Sequence, residues 1–270
     1  MGDEEYLLGE NDIELSRLGF QHEVWARATS ALWDEAGFGV GDALVDLGCG
    51  PGFASLPLAR RVREGGSVLS VDASQKSIAT LQAAAKALGV RNLHPKHASV
   101  DTIEMGENTL DGAFARWLFC FLREPEELVR KIARALKPGG RVAVMDYFQY
   151  QTFALAPPIE VMPRVIDAVV QSWHSSGGDL DIGGKLPAMF EAEGLTITSL
   201  KPIVHCARPG TALWEWPRTF FESYIDVLVG KGALSSADAE MFQSALREHA
   251  ATPGAFMLTP PVMAIVAQKA

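Results

Sequence analysis

The segment "ALVDLGCGPGFASLPLAR" (residues 43–60) constrains the fold of this chain more than any other stretch, because a strand-like apolar run leads through three glycines into a helical pattern. Glycine has no Cβ, so a turn built from Gly48, Gly50 and Gly52 lets the backbone approach a ligand closely. The first turn of the following helix adds unpaired N–H groups. The segment therefore predicts a strand–turn–helix unit whose turn holds a small ligand.

Strand and helix patterns continue to alternate beyond this unit. Strands are predicted over residues 43–47, 66–72, 92–98, 110–119, 140–147, 195–207 and 255–269. Helices are predicted over residues 53–63, 74–89, 124–136, 160–175, 182–194, 211–230 and 235–250, after a helical N-terminal region. The alternation indicates an α/β fold with a right-handed, doubly wound parallel sheet. Its ligand crevice is expected at the carboxyl ends of the strands, where the three glycines fall.

Charge and composition exclude several classes of protein. The chain of 270 residues has a net charge of −9 and no run of more than two Lys or Arg residues, which makes a nucleic acid a poor partner. No apolar run approaches the ~18 residues that a membrane span needs. Cys49, Cys120 and Cys206 form no CxxC motif, no His pair or acid–His cluster suggests a metal, and the acidic N-terminus lacks the apolar core of a signal peptide. These features predict a cytoplasmic protein with reduced thiols.

The glycine turn narrows the choice of ligand. A phosphate-binding P-loop would need Gly-Lys-Ser/Thr, whereas Phe53 and Ala54 follow Gly52. A dinucleotide-binding turn would need its third glycine where Phe53 stands, and this side chain would crowd a pyrophosphate. The sequence therefore favours an adenosine-bearing ligand without a pyrophosphate.

The motif "LVDLGCGPG" (44–52) resembles the first motif of the class I S-adenosylmethionine-dependent methyltransferases of the small-molecule type. Matching segments follow in the family's order: "SVDAS" (70–74), "LDGAFARWLFCFL" (110–122) and "LKPGGRVAVMDY" (136–147). The opening "YLLG" and the closing "LTPPV" are similar to bacterial members. The resemblance implies a Rossmann-like seven-stranded sheet whose last strand is antiparallel, with helical lid insertions.

The same resemblance implies an organisation and an activity. The regions would be an N-terminal helical cap (1–40), a cofactor-binding core (41–150), a lid segment (151–180), a core helix and strand (181–207), a helical lid insertion (208–254) and a final core strand (255–270). The enzyme would transfer a methyl group from S-adenosyl-L-methionine to an O, N or activated C atom of a small apolar or aromatic metabolite, in secondary metabolism. The alternatives are a cofactor-binding protein with a cyclising or sensing role and, less favoured, an NAD-dependent oxidoreductase.

The resemblance carries cofactor-binding roles onto particular residues. Gly48, Cys49 and Gly50 would line the methionine moiety with backbone, and Asp46 would orient the turn or bind the cofactor's ammonium through water. Asp72 would accept both ribose hydroxyls, since a carboxylate offers two acceptor oxygens, although the same acid also suits a helix cap.

Four further contacts follow from the resemblance, and a fifth residue competes with one of them. Ala73 would pack against the adenine, and Ser99 with Val100 would contact its amino edge. Asp101 is a rival for that last role, because many relatives carry an acid there. Arg116 would reach the cofactor's carboxylate or lie on the surface.

Gln21, on the N-terminal helix that relatives fold over the cofactor, would contact the methionine end or be an ordinary exposed glutamine. No catalytic residue is assigned, because methyl transfer by in-line displacement depends mainly on positioning the acceptor. Substrate contacts are expected from side chains after the fifth strand and in the lid, and the two histidines among them also fit structural or surface roles: Tyr147, Tyr150, Trp173, His174 and His205. A small molecule is the expected partner, and a homo-oligomer is compatible with the sequence.

Overall fold

The computed structural model describes residues 12–270 and contains a seven-stranded sheet flanked by helices, with a small second sheet beside it. The strands are β1 (Ala43–Leu47), β2 (Ser67–Asp72), β3 (Leu93–His97), β4 (Leu110–Arg116), β5 (Leu136–Tyr147), β6 (Ala154–Ala156), β7 (Leu195–Ile203), β8 (Cys206–Ala207), β9 (Phe256–Leu258) and β10 (Val262–Lys269). The helices are α1 (Asp12–Glu35), α2 (Ser55–Val62), α3 (Gln75–Ala87), α4 (Pro125–Ala135), α5 (Met162–Ser175), α6 (Ile182–Ala192), α7 (Ala212–Gly230) and α8 (Ser236–Ala250).

The strand order of the large sheet is β3-β2-β1-β4-β5-β10-β7. The strands β1 to β5 pair in parallel, whereas β10 runs antiparallel to both β5 and β7. The order reverses between β1 and β4, which places a crevice at their carboxyl ends. The predicted Rossmann-like sheet of seven strands with an antiparallel last strand is confirmed.

The central strand β1 shows why the sequence folds in this way. Its residues Leu44, Val45, Asp46 and Leu47 are all buried, because helices cover both faces of the sheet. A parallel strand in that position reads as a nearly continuous apolar run instead of an alternating one. The acid within this run, Asp46, lies at the end that enters the glycine turn.

The C-terminal half differs from the prediction in two places. The sixth predicted strand, 195–207, ends at Ile203, and the final one, 255–269, is interrupted between Leu258 and Val262, where two prolines lack the N–H groups of a ladder. The remaining pieces form a second sheet in the order β6-β9-β8. Strands of two or three residues carry no readable periodicity, so this sheet was not predicted.

The inserted helices α7 and α8 are here called the lid helices. The helix α1 meets them above the sheet. α1 packs on α7 and on the ends of β5 and β10. The predicted N-terminal cap covers residues 1–40, of which residues 1–11 lie outside the described range. No helix within residues 12–270 is both long and apolar enough to cross a membrane.

The lid helices share the main apolar core with the sheet. Trp214, Phe221 and Tyr224 of α7 are at most 2% exposed and belong to the same buried cluster as Val45 and Leu47 of β1. The insertion is therefore built into the core, and removing it would expose large aromatic side chains to water.

Candidate functional site

The three glycines of the turn after β1 have positive φ angles and different surroundings. A Cβ added to Gly48 would lie 2.8 Å from a methyl carbon of Leu118, and one added to Gly52 would lie 2.1 Å from Leu81. A Cβ on Gly50 would meet nothing within 4 Å. Gly48 and Gly52 thus serve packing, whereas Gly50 faces open space in which a ligand can lie against the backbone.

Asp72, the last residue of β2, joins two turns at the edge of this space. Its Oδ2 accepts the N–H of Gly50 at 2.7 Å and its Oδ1 accepts the N–H of Ser74 at 2.8 Å. The N-cap of α3 is Ser74, whose Oγ accepts the N–H of Ser77. Asp72 therefore supports the helix start and also stands beside Gly50, and each carboxylate oxygen has two lone pairs. The next residue, Ala73, is exposed.

Asp46 lies buried beneath the glycine turn. Its Oδ2 accepts the hydroxyl of Ser55 at 2.5 Å, and burial raises its pKa to about 7. Cys49 is buried above it, and loss of hydration likewise raises the pKa of this thiol above its usual range. Of the two predicted roles of Asp46, its buried position beneath the turn favours orienting the turn over binding the cofactor's ammonium through water.

Arg116, the last residue of β4, is fixed against α1. Its Nη1 donates to Thr29 Oγ1 at 2.8 Å, its Nη2 lies 3.3 Å from His22 Nδ1, and its guanidinium carbon lies 5.1 Å from the ring centroid of Trp117. Burial, assisted by Arg116, lowers the pKa of His22 to about 4. Since arginine only donates, the neutral imidazole is the acceptor of this pair.

A polar group on α1 was only partly predicted. Gln21 Oε1 accepts N–H groups from Arg17 and from the indole of Trp216, each at 3.0 Å, and so connects α1 to α7. Arg17 and Glu14 form a buried ion pair at 2.7 Å. Glu14 and Arg17 were not among the predicted residues, although Glu14 lies three residues before Arg17 and Arg17 four before Gln21, which places all three on one helix face.

The turn after β3 brings two of the rival candidates together. Ser99 Oγ lies 3.1 Å from both the backbone nitrogen and the Oδ2 of Asp101, so the two residues form one local turn. Val100 between them is buried, and its carbonyl accepts a hydrogen bond from Lys131. The geometry leaves both Ser99 and Asp101 as candidates for the adenine contact.

Four aromatic side chains meet above the carboxyl ends of β4 and β5, and they come from α1, the loop directly after β4, the end of β5 and α7. We call Trp25, Trp117, Tyr147 and Trp216 the aromatic cluster. The ring centroid of Trp25 lies 5.3 Å from that of Trp117 and 4.9 Å from that of Trp216, and Trp117 lies 6.0 Å from Tyr147. Trp25 and Trp117 were not among the predicted site residues, because an aromatic in a helix or after a strand ordinarily indicates core packing.

Two predicted substrate residues border this cluster. The ring of Tyr150 lies 5.2 Å from that of Tyr147, and the ring of His205 lies 5.4 Å from that of Trp25. Burial lowers the pKa of His205 below its usual value. Together with Tyr147, these residues form a continuous group at the edge of the sheet.

The other two predicted substrate residues lie elsewhere. Trp173 is buried away from the aromatic cluster, 5.3 Å from Tyr224 and 5.6 Å from Phe121, and in the described part of the chain ring contacts connect it to Tyr150 only through three phenylalanines. The side chain of His174 is 59% exposed, and its Nε2 lies 4.0 Å from Asp179. The last turn of α5 directs His174 to the surface, so the structure does not bring it together with the candidate site. Within residues 12–270, no group of three or more His, Cys, Asp or Glu side chains could hold a metal ion.

Comparisons with known proteins place this geometry in context. Residues 45–144 match the family model described as a methyltransferase domain. The "Ubiquinone/menaquinone biosynthesis C-methyltransferase UbiE" of Edwardsiella ictaluri is 26% identical over 160 residues, which cover 57% of this chain and 62% of that protein. The "Methyltransferase GfsG" of Streptomyces halstedii is 24% identical over 190 residues, 69% of this chain and 64% of that protein. The chain thus spans less than two thirds of these relatives.

Solved structures share the fold at lower identity. The structure of the 4+2 cyclase SpnF superimposes with a TM-score of 0.59 at 18% identity, over 90% of this chain and 80% of that one. Identity at this level reports the architecture alone. The superposition therefore shows that the two chains share the same overall fold.

Proposed function

We propose that this chain, whose residues 45–144 match a methyltransferase domain, is a class I S-adenosylmethionine-dependent methyltransferase and transfers the cofactor's methyl group to an oxygen, nitrogen or activated carbon atom of a small apolar or aromatic molecule. The observation that carries the proposal is the open face of Gly50 beside the carboxylate of Asp72. A side chain at position 50 would fill the space, and an acid at its edge suits a cis-diol.

Different residues around the crevice would bind different parts of S-adenosyl-L-methionine, the cofactor of this family. In this proposal the backbone of residues 48–50 lines the methionine part, Asp72 binds the ribose hydroxyls, Ala73 packs on the adenine and Arg116 pairs with the carboxylate. The cofactor supplies an electrophilic methyl group on a sulfonium. Buried Asp46 keeps the turn in place through Ser55.

The aromatic cluster borders the same edge and would supply the dry surface on which the acceptor is held. In-line displacement requires the acceptor atom close to the methyl and opposite the sulfur, with water excluded. Tyr147 and Tyr150 would contact the acceptor. His205, kept neutral by its lowered pKa, is placed to take a proton from an acceptor that starts protonated.

The proposal is tested by mass spectrometry of a metabolite mixture incubated with the chain and S-adenosylmethionine labelled with a CD₃ group. We expect a labelled methyl product whose yield falls strongly in the Asp72→Ala variant at a subsaturating concentration of S-adenosylmethionine. A thermal shift by S-adenosylhomocysteine without any labelled product would favour the cyclising or sensing alternative. A shift by NAD and none by S-adenosylhomocysteine would favour the oxidoreductase. Phe53 argues against that alternative, because it stands where a dinucleotide-binding turn needs a glycine and its ring packs against Gly19 and His22.

Substituting the glycines separates ligand contact from packing. Gly50→Ala is expected to cost about 1 kcal/mol of stability, since φ is +53°, and to weaken S-adenosylhomocysteine binding about tenfold because the methyl enters the crevice. Gly52→Ala is expected to cost about 2 kcal/mol or more, because its Cβ overlaps Leu81. Denaturant unfolding and calorimetry measure the two effects. An unchanged affinity in folded Gly50→Ala would place the ligand elsewhere.

The cellular setting belongs to the proposal as well. Cys49, Cys120 and Cys206 are all free thiols, which supports the reducing cytoplasm as the compartment. A role in secondary metabolism is proposed with it. A small molecule is the proposed partner.

A further inference from the structure

Two indole N–H groups of the aromatic cluster have no hydrogen-bond partner. The Nε1 atoms of Trp25 and Trp117 are buried and unpaired, whereas Trp216 donates its N–H to Gln21. Buried donors in folded proteins are almost always paired, so two unpaired donors in adjoining rings need an explanation.

The rings around these donors offer only weak acceptors. Trp25 stands nearly perpendicular to Trp117, at 89°, and to Trp216, at 75°, so that ring edges meet ring faces. An aromatic face is a poor partner for an N–H compared with an oxygen atom. An oxygen brought by a ligand would therefore improve the hydrogen bonding of the cluster.

The position of the cluster suits a ligand. Trp117 directly follows β4 and Tyr147 ends β5, at the carboxyl edge where this class of sheet binds ligands. Trp117 also has a φ of +51°, a conformation that is strained for a bulky residue and that concentrates at functional sites. Trp216 comes from the lid helix α7, so the cluster lies at the junction of lid and crevice.

We propose that Trp25 and Trp117 determine substrate specificity by donating their indole N–H groups to an oxygen of the methyl acceptor. The acceptor is then a flat, largely apolar ring compound that carries a hydroxyl or carbonyl oxygen. This inference rests on the proposed function, since it assigns the substrate class of the same site. The ring of the acceptor stacks against the cluster. Its oxygen accepts hydrogen bonds from the two indole N–H groups, which otherwise have no hydrogen-bond partner among the described residues.

The test compares two probes of similar shape, 2-naphthol and 2-methylnaphthalene, on the protein saturated with S-adenosylhomocysteine. Equilibrium dialysis is expected to give about tenfold tighter binding of 2-naphthol. With ¹⁵N-labelled tryptophan, the six tryptophans give six indole signals. Two of them, assigned through Trp25→Phe and Trp117→Phe, are expected to move downfield with 2-naphthol and to stay in place with 2-methylnaphthalene.

The matched control is Trp33→Phe. Trp33 lies on the same helix, is 4% exposed and also has an unpaired N–H, but it packs on Phe114 inside the sheet core. The preference for 2-naphthol is expected to fall to about twofold or less in Trp25→Phe and in Trp117→Phe, and to persist in Trp33→Phe.

Three results would overturn the inference: equal binding of both probes, no binding of either, or a preference that survives both substitutions. If either variant fails to fold, its indole signal is assigned by elimination through substitutions of the other tryptophans, and the preference and the moving signals of the unsubstituted protein still decide the matter. Failure of the proposed function looks different, because no CD₃-labelled product would then form, whether or not S-adenosylhomocysteine binds.

Discussion

Replacing Asp72 with alanine is expected to weaken S-adenosylhomocysteine binding about thirtyfold, or ~2 kcal/mol, measured by titration calorimetry. The loss has two sources. The substitution would remove the two charge-assisted hydrogen bonds that we propose for Asp72 and the ribose, which are stronger than neutral ones. It also releases the N–H of Gly50, which Asp72 now holds at 2.7 Å. The turn then loses one of its two contacts with the end of β2 and keeps the bond from the Cys49 N–H to the Val71 carbonyl at 3.0 Å.

Two further variants separate ligand binding from the helix cap. Asp72 also accepts the N–H of Ser74, so alanine at position 72 is expected to lower stability as well. Ser74→Ala removes the cap to Ser77 and should cost about 1 kcal/mol of stability with unchanged affinity. Asp72→Asn keeps one acceptor oxygen, so its affinity for S-adenosylhomocysteine should lie between those of Asp72→Ala and the unsubstituted protein. An Asp72→Ala variant with full affinity would leave the acid with a capping role alone.

The elements nearest the cofactor were predictable because their chemistry is local. A glycine turn, a strand and the acid closing the next strand each carry a pattern that tertiary contacts do not override. The strand β1 was predictable from its nearly continuous apolar run, and the helices α7 and α8 from their own helical patterns. In these cases the sequence pattern and the structural cause are the same.

The substrate side was less predictable, because its residues come together only through tertiary packing. Trp25, Trp117 and Trp216 are more than 90 residues apart from each other along the chain, and no periodicity links them. The ion pair of Glu14 and Arg17 reads as an ordinary exposed helical pair until α1 is placed beneath α7. His174 illustrates the converse, since a histidine beside a buried tryptophan still faces solvent at a helix end.

The helix α1 connects the two halves of the site. One side of it meets Arg116 through Thr29 and His22, beside the proposed cofactor carboxylate, and Gln21 meets Trp216 of the lid. A shift of α1 would therefore alter both the cofactor contacts and the lid contact. This arrangement accounts for the buried polar groups on α1, which cost more to bury than apolar residues would.

Raising the pH from 5 to 8 is expected to destabilise the protein through two buried carboxyl groups. Asp46 and Asp146 are at most 2% exposed, and burial raises the pKa of each from 3.8 to about 7. In the unfolded chain these groups ionise near pH 4, whereas in the folded protein they hold their protons to about pH 7. The folded state therefore binds more protons in this window, so their stabilising contribution is complete below pH 4 and lost as the pH rises through 7.

The size of the effect follows from the shift, since about two of the three pKa units lie between pH 5 and 8, which corresponds to about 3 kcal/mol for each group. Urea unfolding at several pH values measures it, and Asp46→Asn should flatten the decline because an amide has no charge to bury and still accepts the hydroxyl of Ser55. Glu64→Gln, at an exposed position, is the control and should keep the full slope. If Asp46→Asn declined as steeply as the unsubstituted protein, burial of Asp46 would not govern the pH dependence, and its carboxylate would be charged beneath the turn throughout.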